Sequence, residues 1–125
     1  MKKFGGLRLY KNKPTIIAEA GVNHDCDMRK AYKLISDAKI CGVEAIKFQT
    51  YKSKDLVIKN SPAYWDLTKE KTKTQRKLFD KYDKFYFKEY LKIIEQCKRK
   101  DITFLTTLFD IQSIPLYSKY LPLFK

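Results

Sequence analysis

Four polar residues fall where apolar ones are the norm. Glu19, Lys47, Gln49 and Thr107 each lie near the C-terminal end of a short run of apolar or β-branched residues: TIIAEA from Thr15, VEAIKFQ from Val43 and ITFLTT from Ile102. Side chains alternate between the two faces of a strand. Ile17 and Glu19 therefore share a face, as do Ala45, Lys47 and Gln49, and likewise Thr103, Leu105 and Thr107. Ile16, Ala18, Ala20, Ile46, Phe48, Ile102 and Phe104 take the opposite face. Each strand thus offers one apolar face to covering helices and a second that turns polar toward its C-terminal end. Parallel strands in α/β proteins are normally apolar on both faces. A buried Glu19 or Lys47 without a partner is costly, so each needs a partner or a function. Two readings follow: an interior Glu19–Lys47 ion pair with a purely structural role, or a polar, anion-attracting pocket at one end of a parallel sheet, where α/β folds assemble their sites. Periodicity does not name a reaction.

The elements that must position these residues alternate strand and helix, the βαβ signal. The first strand follows Pro14 and ends at Gly21. Met28, Ala31, Leu34, Ile35, Ala38 and Cys41 recur at helical spacing, with Asp27 as N-cap and Gly42 as the stop. A second helix is predicted over residues 87–100, its apolar face marked by Tyr90, Leu91, Ile94 and Cys97. Between the second strand and that helix runs a long polar segment, residues 50–83. Its Tyr64, Trp65, Leu67, Leu78, Phe79 and Tyr82 are too apolar for a bare linker, so it reads as a structured excursion. Asp110 or Ser113 caps a third helix through Tyr120, although Pro115 sits awkwardly for either start. Residues 121–125 read as the approach to a further strand.

Composition narrows the class. The chain has 125 residues, 44% hydrophobic and 14% aromatic, with four Gly and four Pro, which excludes disorder and collagen-like repeats. A complete (β/α)₈ barrel needs roughly 250 residues. No apolar run reaches the length of a membrane span, and the start, MKKFGG, lacks the apolar core of a signal peptide, so a cytoplasmic location and no membrane partner are expected. Cys26, Cys41 and Cys97 are widely spaced and read as reduced thiols, and with His24 as the one histidine no metal site built from His and Cys is expected. The formal charge is +13. Its source is 23 Lys against four Arg, spread along the whole chain, which favours a solvated lysine-rich surface over a nucleic-acid interface.

The stretch Ile17-Ala18-Glu19-Ala20-Gly21-Val22-Asn23-His24-Asp25, then Ala45-Ile46-Lys47-Phe48-Gln49-Thr50, then Phe104-Leu105-Thr106-Thr107-Leu108-Phe109-Asp110, resembles the sialic acid synthase family, which includes the N-acetylneuraminate synthases and their legionaminate and pseudaminate relatives. The corresponding family patterns are AEIGxNHxGD, KFQT and FxSTPFD. Tyr64 to Leu67 and Gln75 to Phe85 are also similar to family sequence, so the likeness covers nearly the whole chain in order. The resemblance implies an α/β chain forming the N-terminal three βα units of a TIM (β/α)₈ barrel, incomplete, with residues 1–125 as the N-terminal part of a synthase barrel domain. It implies condensation of phosphoenolpyruvate with an N-acetylmannosamine-type aldehyde, releasing phosphate, in the biosynthesis of sialic acid for cell-surface polysaccharide. Lys47 would hold the carboxylate or phosphate of the anionic substrate, and Gln49 would bond sugar hydroxyls or metal-bound water. Glu19 would orient the aldehyde or handle a proton, and Thr107 would offer its hydroxyl to phosphoenolpyruvate. Asn23 and His24 fall at the mouth of the site, His24 either touching substrate or ordering the loop by a hydrogen bond. A divalent metal, Mn²⁺ or Mg²⁺, is expected for the full-length family enzyme, as is a homodimer.

The sequence departs from the family in places. Cys26 replaces the glycine after NHx, Asp101 replaces the glycine before the third strand, Leu108 replaces the proline of STPF, and Pro115 falls where relatives continue a helix. The family's two metal-binding histidines, most of its phosphoenolpyruvate ligands and its C-terminal domain have no counterpart in these residues. The 125-residue chain alone is therefore expected to be inactive. A non-catalytic remnant or interaction module of the same fold is the alternative.

Overall fold

The structure, a computed structural model, describes residues 2–4 and 6–125. Met1 and Gly5 of the N-terminal MKKFGG stretch lie outside the described residues. The chain opens with an antiparallel hairpin of β1 (Lys2–Phe4) and β2 (Leu7–Leu9), in which Phe4 pairs with Leu7. Sequence reading did not anticipate it. Strands of three residues are too short to show a period, and the Gly5-Gly6 pair was the available turn signal.

The centre is a parallel sheet of β3 (Ile17–Gly21), β4 (Ala45–Thr50) and β5 (Thr103–Leu108), in that spatial order. Helix α1 (Met28–Ile40) connects β3 to β4, and α4 (Phe87–Arg99) precedes β5. Both helices cover the same face. Ala31, Ile35 and Ala38 of α1 and Tyr90, Ile93, Ile94 and Cys97 of α4 bury against Ala20, Ile46, Phe48 and Phe104. Strands that advance in one direction with every crossover helix on one side are the opening of a (β/α) barrel. A doubly wound sheet would place helices on both faces. The chain is thus α/β and forms three βα units of an incomplete barrel.

The helix ends explain two of the sequence departures. Asp27 caps α1, its Oδ1 accepting from Arg29 N–H at 2.8 Å. At the other end Gly42 (φ +74°) donates to Lys39 O and Val43 to Ala38 O, a Schellman motif with glycine in the left-handed position. Helix α4 closes in the same way, with Asp101 donating to Lys98 O and Ile102 to Cys97 O, yet here the left-handed residue is Asp101, at φ +49°. Cys26, the other glycine replacement, is also left-handed, at φ +56°.

The excursion between β4 and α4 carries a short helix α2 (Ser53–Leu56), an isolated antiparallel bridge between Pro62 and Thr74, and α3 (Gln75–Tyr82). It is structured, as its aromatic content implied. The predicted third helix is broken. A 3₁₀ turn over Ile111–Ser113, capped by Asp110, leads into α5 (Ile114–Tyr117), and a second 3₁₀ turn spans Ser118–Tyr120. Pro115 is accommodated because it lies in the first turn of α5, where its missing N–H would have had no partner. Residues 121–125 form bends and no strand, as expected of a segment that leads toward a further strand without being one. Leu121 packs into the main core and Leu123 beneath the sheet.

Candidate active site

The inner face of the sheet is layered. At its lower level Ala45 and Leu105 are buried beneath Leu7 of the hairpin, which is 4% exposed. The register then places Glu19 beside Lys47 and Gln49 beside Thr107, one step nearer the C-terminal ends. Lys47 is the centre of the group. Its ammonium is ion-paired with the Glu19 carboxylate and donates to Thr107 Oγ1 at 3.3 Å. The Lys47 side chain is 12% exposed while that of Glu19 is 51% exposed. The pair is therefore one-sided: its cation is sheltered within the wall, and its carboxylate opens toward the space above the sheet.

Local backbone geometry sets this arrangement. The register slips between Glu19 and Gly21, so that Glu19 faces Lys47 while Gly21 faces Phe48. Gly21 has φ +53°, a conformation that suits glycine, and a side chain there would touch Glu19 Oε1 and the Gln49 amide at 3.6–3.9 Å. Glu19 and Gln49 thus both flank the Gly21 position. On the opposite side of the sheet, Tyr90 Oη donates to Gln49 O at 2.8 Å and pins the end of β4. Thr50 Oγ1 donates to Thr107 O at 3.2 Å, tying β4 to β5 where both side chains of interest emerge.

Asn23 is exposed in the turn after β3, at the same end of the sheet, with its N–H bonded to Ala20 O at 3.0 Å. The structure does not bring His24 to the group. It is fully buried on the helix side, stacked on Phe85 with ring centroids 4.5 Å apart and flanked by Phe48 and Tyr90. Its Nδ1 accepts from Cys26 N–H at 3.0 Å, so the loop-ordering role is the one its position supports. Burial lowers its pKa from 6.5 to about 4, against a smaller opposing effect of Asp25. The neutral ring then carries its proton on Nε2, which has no partner. Among the described residues no three His, Cys, Asp or Glu side chains converge as metal ligands. The donor set present does not fit a divalent ion, and nothing below is routed through one.

Beside Gln49, the excursion walls a cavity of about 410 Å³ lined chiefly by aromatic and aliphatic side chains. No simple sequence signal marked it, because its residues come from four separated segments. Among the described residues, no helix is long and apolar enough to cross a membrane.

Similar proteins place these features in a family. The chain is 36% identical over 110 residues to N,N'-diacetyllegionaminic acid synthase of Campylobacter jejuni, covering 86% of this chain and 32% of that protein. It is 35% identical over 117 residues to the protein of the same name from Legionella pneumophila, covering 90% of this chain and 33% of that protein. The crystal structure of N-acetylneuraminic acid (sialic acid) synthetase from Leptospira borgpetersenii, in complex with citrate, is similar with a TM-score of 0.70 and 32% identity, over 87% of this chain and 34% of that one. The chain therefore spans about a third of the length of the proteins it matches. Residues 34–125, which include the second half of α1, the strands bearing Lys47, Gln49 and Thr107, and the whole excursion, match the model of the NeuB family, and the chain belongs to that family.

Proposed function

We propose that this chain supplies the first three βα units of a synthase that joins phosphoenolpyruvate to an N-acetylmannosamine-type aldehyde and releases phosphate. The observation that carries the reading is the one-sided group on the inner face: a sheltered Lys47 ammonium held between Glu19 and Thr107, with Gln49 alongside. Lys47 binds anionic oxygens of phosphoenolpyruvate, and the Thr107 hydroxyl adds a hydrogen bond to them. Glu19, on the open side of Lys47, orients the aldehyde or carries a proton as C3 of phosphoenolpyruvate attacks its carbon. Gln49 bonds sugar hydroxyls, and Asn23 stands at the mouth. The names of the relatives, synthases of legionaminic and sialic acid, support this substrate class.

The rest of the proposal concerns the whole protein. It is a cytoplasmic homodimer, and the Mn²⁺ or Mg²⁺ of the resemblance would be held by residues outside this chain. The test is a condensation assay on the full-length protein, with phosphate release and nonulosonic acid both measured. Lys47→Met should lower kcat/KM by roughly 100-fold or more, the scale of losing one charge-stabilising donor. Glu19 stays half in water in that variant, so its far-UV CD and thermal midpoint should hold. Full activity in Lys47→Met would remove Lys47 from the site, and no product from the unsubstituted protein with any such aldehyde would refute the reading.

A further inference from the structure

The other end of the sheet holds a pocket that the synthase chemistry does not use. It measures about 470 Å³ and lies where β4 and β5 begin, between the C-terminal ends of α1 and α4 and against the hairpin. Its walls come from the segments on either side of the central strand β4, so it is built within this chain and needs neither open edge of the sheet. Arg8, Lys13, Lys39 and Lys98 line it, against the carboxylates of Glu44 and Asp101.

The helix ends account for part of this charge. Lys39 and Lys98 stand in the last turns of α1 and α4. Each such end carries roughly half a negative charge, which one lysine more than offsets. Arg8 in β2 and Lys13 in the segment after it have no helix end to serve. The carboxylates do not balance them closely. Glu44 is 7% exposed and accepts from Ile16 N–H at 2.8 Å, with Lys13 only at 3.5 Å. Asp101 lies between Arg8 at 3.7 Å and Lys39 at 3.4 Å. Charge-assisted bonds normally close to about 2.7–2.9 Å, so all three ion pairs are loose. Lys98 has no carboxylate partner among the described residues, and its ammonium stands 5.8 Å from the Tyr120 ring. Two of the cations are nevertheless held in place: Lys39 donates to Asp101 O at 2.6 Å, and Lys13 sits 3.9 Å over the Tyr10 ring.

The Asp101 carboxylate shows what this space accepts. An anionic group already stands between a guanidinium and an ammonium, but it is tethered to the turn after α4 and reaches neither at full bonding distance. A phosphate free of that tether, with more charge and three oxygens, can engage the planar fork of Arg8 and the lysines as point charges. The volume falls in the range of small-molecule pockets and leaves room for an organic portion beyond the phosphate. We infer that this pocket binds a small organic phosphate, at the end of β4 opposite Lys47 and Gln49, with Asp101 as a tethered competitor that the ligand displaces. The site goes beyond the synthase reading and does not depend on it.

The experiment uses the full-length protein and its Lys47→Met variant, with ribose 5-phosphate as probe and ribose as control. Calorimetry is run at about 0.1 M salt, where exposed charges are already partly screened. Ribose 5-phosphate should bind both proteins, and ribose neither. In the Lys47→Met background, Arg8→Gln and Lys98→Gln, both at exposed positions, should each weaken binding by roughly 5-fold or more. Asp101→Asn keeps a residue suited to the left-handed turn and removes the competing charge, so it should tighten binding several-fold. Lys92→Gln, exposed on α4 outside the pocket, should change nothing. Ligand-free thermal midpoints report folding, and if Arg8→Gln does not fold, Lys98→Gln and Asp101→Asn decide. Loss of binding in Lys47→Met would assign the phosphate to the inner face and overturn the inference. So would equal binding of ribose, or affinities unmoved by the folded pocket variants. Displacement by a double-stranded oligonucleotide, with Lys92→Gln costing as much as Lys98→Gln, would also overturn it by reducing the pocket to part of a general basic surface.

Discussion

Lys47 shows how much one side chain can be constrained without being withdrawn from use. Its position on β4 fixes its face, and the ion pair with Glu19 and the bond to Thr107 Oγ1 fix its direction. Replacing Thr107 by Val keeps the shape and removes that bond. The expected result is a rise in KM for phosphoenolpyruvate of several-fold with the fold intact, measured by initial rates on the full-length protein. His24 makes a different prediction. Its folded pKa is about 4 and its unfolded value near 6.5. Above pH 6.5 both states hold a neutral ring. Between pH 6.5 and 4 the unfolded chain takes up a proton that the folded chain does not, so stability falls as pH falls through this window, by about 3 kcal/mol in all. Urea titrations at pH 7 and 4.5 should show that loss, and His24→Phe should flatten the part of it due to this residue. The two left-handed residues offer a third test. At Asp101 the expected order of stability is Gly, then Asp, then Ala, with Ala lying about 1 kcal/mol below Gly, because a Cβ is penalised there and Asp is better tolerated than Ala. The ion pairs of Asp101 with Arg8 and Lys39 are solvent-exposed and do not reverse that order. Chemical denaturation of the three variants checks it.

At the scale of elements, the sequence made strands β3, β4 and β5 and helices α1 and α4 legible, because each buries a face and burial imposes a period. The inner-face residues were legible for the same reason: an apolar alternation interrupted by Glu19, Lys47 and Thr107 states which side they occupy. Helix α3 was hidden by its environment. None of its residues is fully buried, and its contacts, Leu78, Phe79 and Tyr82, are interspersed with Lys and Asp. The cavity was hidden for a topological reason, since residues 22, 49–57, 78–82 and 109 meet in space and not along the chain. What holds the excursion in place is a small polar latch. Asp83 accepts from Ser53 N at 2.9 Å, from Ser53 Oγ at 3.2 Å and from Lys52 Nζ at 2.6 Å, and Ser53 Oγ also reaches Asp80. Cys26 Sγ donates to Tyr82 O at 3.2 Å, joining the latch to the loop after β3. Asp83→Ala leaves a sheltered N–H and an ammonium without their acceptor, at a cost of about 2–3 kcal/mol. Hydrogen exchange should then accelerate over residues 51–83 while β4 and β5 keep their protection.

For the whole molecule, the unfinished inner face is the dominant fact. Ile17 at 40% and Phe109 at 42% exposure stand on or beside it, and Ile111, Ile114 and Leu116 extend the apolar surface beyond β5. The outer edges of β3 and β5 are unpaired among the described residues, and such edges invite association. The isolated 125-residue chain is expected to self-associate and to bind an apolar dye, with no synthase activity, whereas the full-length protein should do neither of the first two. Light scattering and dye fluorescence on the two lengths, alongside the condensation assay, test all three.

The hairpin that tucks Leu7 against Ala45 and Leu105 has a consequence for traffic. It lays a floor under the polar layer, and a barrel closed over such a floor is a cup and not a tube. In the reaction proposed above, reactants and products would then share a single doorway. Any molecule lodged among the aromatic walls near Gln49 would stand in that doorway, and would slow departure as well as arrival.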